Sequence, residues 1–448
     1  MTREHGLWDD LPEQNGPEPL ARGAARLRRP ERGQLGWHLA AIDDLIAPDH
    51  PARAVWAFVG ALDLSALHAR VKAREGAPGR APPAPELMLA LWLFATVDGV
   101  GSARQLDRLC DQHLAYRWLC GGVSMNHHTL GDFRVAHADV LETLLARGVA
   151  SLVAEGLVGL EALAQDGVKV RAAAGAASFR RRDRLVALEA AAKERVAQLR
   201  AEVDDDPGAG ERRKAAARER TARERQARVT AALERMKELE AERERREKTN
   251  KADVARQTAP RASTTDAQAR VMKMADGGFR PAYNMQLVTT VEDQVIVAVD
   301  VDTSGSDRGL ARPALETLRK AGIEPKDYLV DGGFTKNADI EWAHENAIRL
   351  TCPPARNKHG ADPFAVREDD GPGMADWRKR MGSPEGRALY KRRAEAERPN
   401  AWARRMGLGR LLVRGKDKAR AALLLFALAH NMLRAFALRE AAAAPAAA

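Results

Sequence analysis

The chain has 448 residues, more than one hydrophobic core commonly serves, so two or three domains are expected. Lys and Arg number 72 against 62 acids, a net charge of +10 that suits a polyanionic partner such as nucleic acid. Cys110, Cys120 and Cys352 form no C-x-x-C pair, which argues against a disulfide framework or zinc cluster and fits a reducing cytoplasm. No apolar run reaches the roughly 18 residues that span a membrane, and the polar N-terminus lacks a signal-peptide core.

Residues 1–34, rich in Arg, Pro and Gly, read as a disordered basic tail. A helical N-terminal domain is expected over 35–152. It contains the apolar helix "PELMLALWLFATV" (85–97), then "SARQLDRLCDQHLAYRWLCG" (102–121) with apolar residues three and four apart. In "SMNHHTLGDFRVAHADVLETLLARGV" polar residues lead into an amphipathic helix, so Asn126 to Arg134 and the helix after it are the candidate DNA-reading element. His127 and His128 could ligate a metal or be exposed loop residues.

The stretch 180–278 contains no Phe, Trp or Tyr up to Gly278. Leu185, Leu188, Ala192, Leu199 and Val203 keep a three–four repeat, "DDDPGAG" breaks it, and Val229, Leu233 and Met236 resume it. That pattern predicts an inserted coiled-coil hairpin over 180–261, with a solvated charged segment as the alternative. Around it lies an α/β pattern: strands at 160–170, 282–290, 294–302, 328–333 and 348–352, with a helix at 309–322 and another before the last strand. The order predicts a mixed sheet covered by helices. "AALLLFALAHNML" (421–433) reads as a buried helix, and 436–448 as a disordered Ala-rich tail.

Two acids stand out by position. Asp331 ends a short strand before Gly332 and Gly333, where open α/β sheets place ligands, although an Asp in a turn also satisfies backbone N–H groups. Asp166 lies within a strand, where an acid needs a cation, either a ligand or an ion pair with Lys169 or Arg171. In "YKRRAEAERPNAWAR" a regular helix, turning about 100° per residue, would align Tyr390, Arg393, Glu397 and Arg404 on one stripe. Three carboxylates, Asp166, Asp331 and Glu397, form an oxygen set suited to Mg²⁺ or Mn²⁺. A solvated face with Arg393–Glu397 pairing is the plain alternative for the stripe.

Tyr390-x2-Arg393-x3-Glu397-x6-Arg404 resembles the Y-x2-R-x3-E-x6-K signature of bacterial insertion-sequence DDE transposases, with Arg for the final Lys. "AQDGVKVRAAAGAASF" (164–179), "YLVDGGFTKNADIE" (328–341) and "STTDAQARVMKMADGGFRPAYNMQLVTT" (263–290) are similar to further blocks of that family, and 37–150 to its InsH-type N-terminal domain. The resemblance implies an RNase H-like catalytic domain over 153–179 and 262–435. It implies Asp166, Asp331 and Glu397 as the catalytic, metal-binding triad, and Tyr390, Arg393 and Arg404 as DNA-contacting residues. The implied activity cuts the ends of an insertion sequence and joins the 3′-OH to target DNA, using two Mg²⁺ or Mn²⁺ ions. The partners implied are terminal inverted repeats and target DNA, bound by a homodimer at the nucleoid. An inactive DNA-binding derivative and an RNase H-like nuclease without strand transfer are the rival readings. Pro399, two residues after Glu397, is expected to bend or restart the helix and to move Arg404 off the stripe.

Overall fold

The computed structural model describes residues 41–73, 81–205, 209–249, 259–354 and 362–444. The expected tail over 1–34 lies outside them.

Strand β1 (Ala162–Arg171) is the hub of the sheet. Along one side it pairs antiparallel with β5 (Phe279–Thr290), from Leu163 opposite Thr290 to Arg171 opposite Ala282. Along the other, only Ala162, Leu163 and Ala164 pair, in parallel, with β7 (Asp327–Leu329), which pairs in turn with β8 (Arg349–Thr351). The outer side of β5 carries β4 (Arg270–Lys273) and β6 (Ile296–Asp302). The result is a mixed sheet with many helices, consistent with an RNase H-like DDE domain. Because β7 is short, β1 beyond Ala164 has no strand on that side.

Side chains alternate along a strand, and here each face meets its own core. Val168, Val170, Tyr283, Met285 and Leu287 pack into a cluster that includes α3 (Pro85–Val97) and the long helix Lys416–Ala443. Leu163 and Val288 face a second cluster with Leu315 and Ile340 from the helices between the strands and Trp377 from the helix after the last strand. β5 is therefore buried on both faces, and its polar Asn284, Gln286, Thr289 and Thr290 are buried too.

The helices of the domain expected over 35–152 share that first core with the sheet, and Ile42–Ala448 forms one compact unit. Helix Lys416–Ala443 is the reason. It is long and apolar enough to cross a membrane, yet 67% of its most apolar window is buried in the protein, between the N-terminal helices and the sheet. It also runs through 436–443, so that part of the expected disordered tail is helical; 445–448 lies outside the described residues.

That helix closes an edge of the sheet with one side chain. Asn431 Oδ1 accepts from the Ile296 N–H at 2.8 Å and its Nδ2 donates to the Ile296 carbonyl at 2.7 Å, as a neighbouring strand would. Between β2 (Phe179–Arg180) and β3 (Ala262–Ser263) the chain leaves the sheet as two helices, α8 (Arg182–Asp205) and α9 (Ala209–Thr249). The pairings Arg182–Glu240, Glu189–Thr230 and Arg200–Glu219 run in opposite directions, so the helices are antiparallel.

Asn431→Ala leaves both buried backbone groups of Ile296 without partners. The expected loss is about 2–4 kcal/mol of unfolding free energy, read by denaturant titration at unchanged m-value; a loss indistinguishable from zero would mean that water replaces the amide.

Candidate active site

Asp166 sits in the interior of β1, and its side chain is only 17% exposed. Burial pushes its carboxyl up to about 6, against the opposing pull of Arg393, with the nearby Asp331 charge adding to the rise. Three groups hold it. The Gly167 N–H donates to Oδ1 at 3.0 Å, Asn400 Nδ2 donates to Oδ2, and Arg393 Nη1 stands 3.7 Å from Oδ1. The cation partners that the sequence suggested, Lys169 and Arg171, are not used; Arg393 comes from 227 positions further on.

Arg393 links two carboxylates. Its Nη2 donates to Glu397 Oε1 at 3.0 Å. Burial opposes its charge, but Asp166 and Tyr390 hold its pKa above the ordinary value. Glu397 itself is 61% exposed. Asp331 follows β7, with Oδ1 accepting from the Gly333 N–H at 2.7 Å, the local turn that the sequence offered as an alternative. Asp166 and Asp331 thus feel each other, while Glu397 joins through Arg393. Among the described residues no three His, Cys, Asp or Glu side chains group closely enough to hold one metal ion.

The expected regular stripe is corrected. Tyr390 ends an α-helix (Pro384–Lys391), Arg392–Ala396 is a 3₁₀ segment, Glu397–Ala403 is α-helical, and Arg404–Leu408 is wound wider, with Gly407 at φ 86°. Tyr390 lies half-buried against the second core. Pro399 falls in the first turn of its helix, where it has no N–H to lose, so the breaks come before and after it.

Arg134 is corrected as well. It is buried, donates to the Gly101 carbonyl and lies 4.7 Å over the Trp92 ring, so it cannot reach DNA. Asn126 caps the helix His127–Ala136, and His127 leans on Asp107 at 3.3 Å.

Sequence reasoning missed Asn400 and a polar ladder on the opposite face of β1. The spacing of Asn400, three after Glu397, was its available signal. In the ladder, Tyr328 donates to Gln165 at 2.8 Å, Gln165 to Gln286 at 2.8 Å, and Gln286 and Asn284 donate to Asp307 at 2.8 and 2.7 Å. Gly167 makes room for it: a Cβ there would stand 2.4 Å from Asp307 Oδ1. Two buried atoms beside Asp166, Arg393 Nη1 and Asn400 Oδ1, have no hydrogen-bond partner.

Asp166→Asn removes the buried charge. The folded-state value of about 6 exceeds the ordinary 3.8, so the native state holds the extra proton and wild-type stability declines as pH rises from about 4 through about 6. With divalent ions chelated, the variant is expected to be more stable than wild type at about pH 7, by up to about 3 kcal/mol, and equal to it near pH 3.5. Thermal unfolding at both pH values checks this; a variant less stable at pH 7 would show that the ion pair outweighs the burial.

Residues 248–432 match the family described as transposase DDE domain, and residues 40–136 match the transposase domain DUF772. No curated protein and no solved structure matches the chain. The DDE match contains Asp331 and Glu397 but starts beyond Asp166, which lies ahead of the two-helix insertion; the β1–β5 ladder returns it to the same sheet. The two matches, a transposase DDE domain and a second transposase domain in one chain, together support an insertion-sequence DDE transposase.

Proposed function

We propose that the chain cuts the ends of its insertion sequence and joins the freed 3′-OH to target DNA, with Asp166, Asp331 and Glu397 as the catalytic carboxylates. The observation that carries this reading is Asp166, an acid in a buried strand, within the field of Asp331 and bridged to Glu397 by Arg393. In each step one phosphodiester P–O bond breaks as another forms, first to water and then to the 3′-OH, with no covalent enzyme intermediate. By chemistry the donors suit a hard divalent ion, three carboxylates and the unpartnered Asn400 Oδ1 beside Asp166, but Glu397 is turned to Arg393 and must swing inward to complete the set. Bound Mg²⁺ or Mn²⁺, two ions held by Asp166, Asp331 and Glu397, would supply activation of the attacking oxygen and charge for the leaving one.

The chain's own residues do the positioning. Asn400 fixes the Asp166 carboxylate, and Arg393, paired with both Asp166 and Glu397, supplies the positive charge that faces a phosphate held at the carboxylates. Arg404, exposed beside Gly167, is a further phosphate contact. The two inserted helices form a coiled-coil hairpin that serves as a contact between protomers when two ends are paired on DNA. The protein acts as a homodimer at the bacterial nucleoid. The exposure of Glu397 and its bond to Arg393 favour one rival, a derivative that occupies element ends without cutting them.

Purified protein is incubated with labelled DNA carrying the element's ends, with Mg²⁺ or with chelator. Metal-dependent nicking at the end followed by joined products is expected, falling roughly 10³-fold or more in Asp331→Ala. Tight, specific binding with no cleavage by wild type would sink the catalytic reading and leave the occupancy one; free cut ends without joining would leave a nuclease.

A further inference from the structure

We infer that a cleft of about 540 Å³, which starts one residue from Asp166 and opens on the other face of β1, binds the phosphodiester backbone of one DNA strand running past the site; the inference rests on the transposition reading above. The cleft begins at Gly167, the residue after Asp166, and follows β1 to Arg171, where Arg410 bridges the strand and the Leu411 N–H donates to the Arg171 carbonyl at 2.8 Å. Its walls carry Lys169 and Arg171 from β1, Lys273 from β4 and Arg404 from the segment after Asn400. None of these four makes a side-chain hydrogen bond or ion pair with another described residue. Elsewhere arginines are commonly paired, as in Arg312–Glu316, Arg349–Asp327 and Arg439–Glu155.

The acids of the cleft do not neutralise them. Asp276 is bonded to Arg280 at 2.7 Å, and Asp307 takes the amides of Asn284 and Gln286. A row of free cations with its only carboxylates already engaged is an anion track. Lys169 and Arg171 are two apart and share one face of β1. From Gly167 to Arg171 the strand rises about 3.4 Å per residue, and one DNA strand advances about 3.4 Å per nucleotide along its axis, so the row spans roughly four nucleotides. Contacts of this kind fix the strand's register on the protein without reading its sequence.

The test compares Arg171→Ala/Lys273→Ala with Lys320→Ala/Lys379→Ala, a pair of exposed lysines outside the cleft, so that each variant loses two charges. Binding of a labelled duplex carrying the element's end is titrated between about 50 and 200 mM salt, and the nicking assay is run beside it. Each phosphate contact contributes about 0.9 to the slope of log K on log salt, so the cleft variant is expected to lose about 1.8 and the control close to none. Equal slopes with wild-type nicking intact would overturn the cleft and leave transposition standing. A slope lost only in the cleft variant, with no nicking by wild type, would keep the cleft and overturn transposition. A wild-type protein that does not bind the duplex overturns both.

Discussion

A carboxylate in the middle of a buried strand constrains everything around it. β1 is the strand on which the sheet is assembled, and both of its faces are packed against hydrophobic cores. An acid placed there needs neighbours that keep it hydrogen-bonded and near a positive charge. Those neighbours, Arg393 and Asn400, come from the segment that follows the last strand. The requirement ties the C-terminal third of the chain to its first strand, and the site exists only where the two meet. The same segment changes its winding three times, from α to 3₁₀ after Lys391, back to α at Glu397 and to a wider turn after Ala403. Arg393 and Asn400 both face Asp166, as they would on a regular helix, where seven residues turn 700°, about 20° short of two full turns.

Much of the sheet was legible from residues. The alternation in "GVKV", the paired runs at 282–290 and 294–302 and the short apolar run before Asp331 all mark observed strands, because period-two burial is a local property of the chain. Asp166 and Asp331 stood out for local reasons too, one as an acid inside a strand and the other as an acid at a strand's carboxyl end before two glycines. Other features escaped because they are decided between distant elements. Arg134 follows a polar run and looks exposed, yet Trp92, on another helix, takes its guanidinium face. The stripe from Tyr390 to Arg404 assumed one regular helix, whereas tertiary packing selects three windings. Nothing in the spacing of Gln165, Asn284, Gln286, Asp307 and Tyr328 announces a ladder, since its members belong to three strands and a loop.

The helical N-terminal part illustrates another limit. Its residues read as a module with its own amphipathic helices, and they match a transposase domain on their own. What unites them with the sheet is the helix Lys416–Ala443, apolar on nearly every side. A helix that is hydrophobic all round must be covered all round, and the coverage comes from both halves of the chain. Mechanical coupling between the helical part and the sheet is thus built into the core.

The two inserted helices raise a different point. The chain departs after Arg180 and returns at Ala262, and these two residues face each other in a two-stranded ladder, as do Phe179 and Ser263. The excursion begins and ends at one rung. Loop-closure entropy grows only with the logarithm of length, so the sheet is nearly indifferent to how long the detour is or what it contains. For descent this makes the segment a replaceable cassette, free to be lengthened, trimmed or exchanged while the carboxylates stay in register.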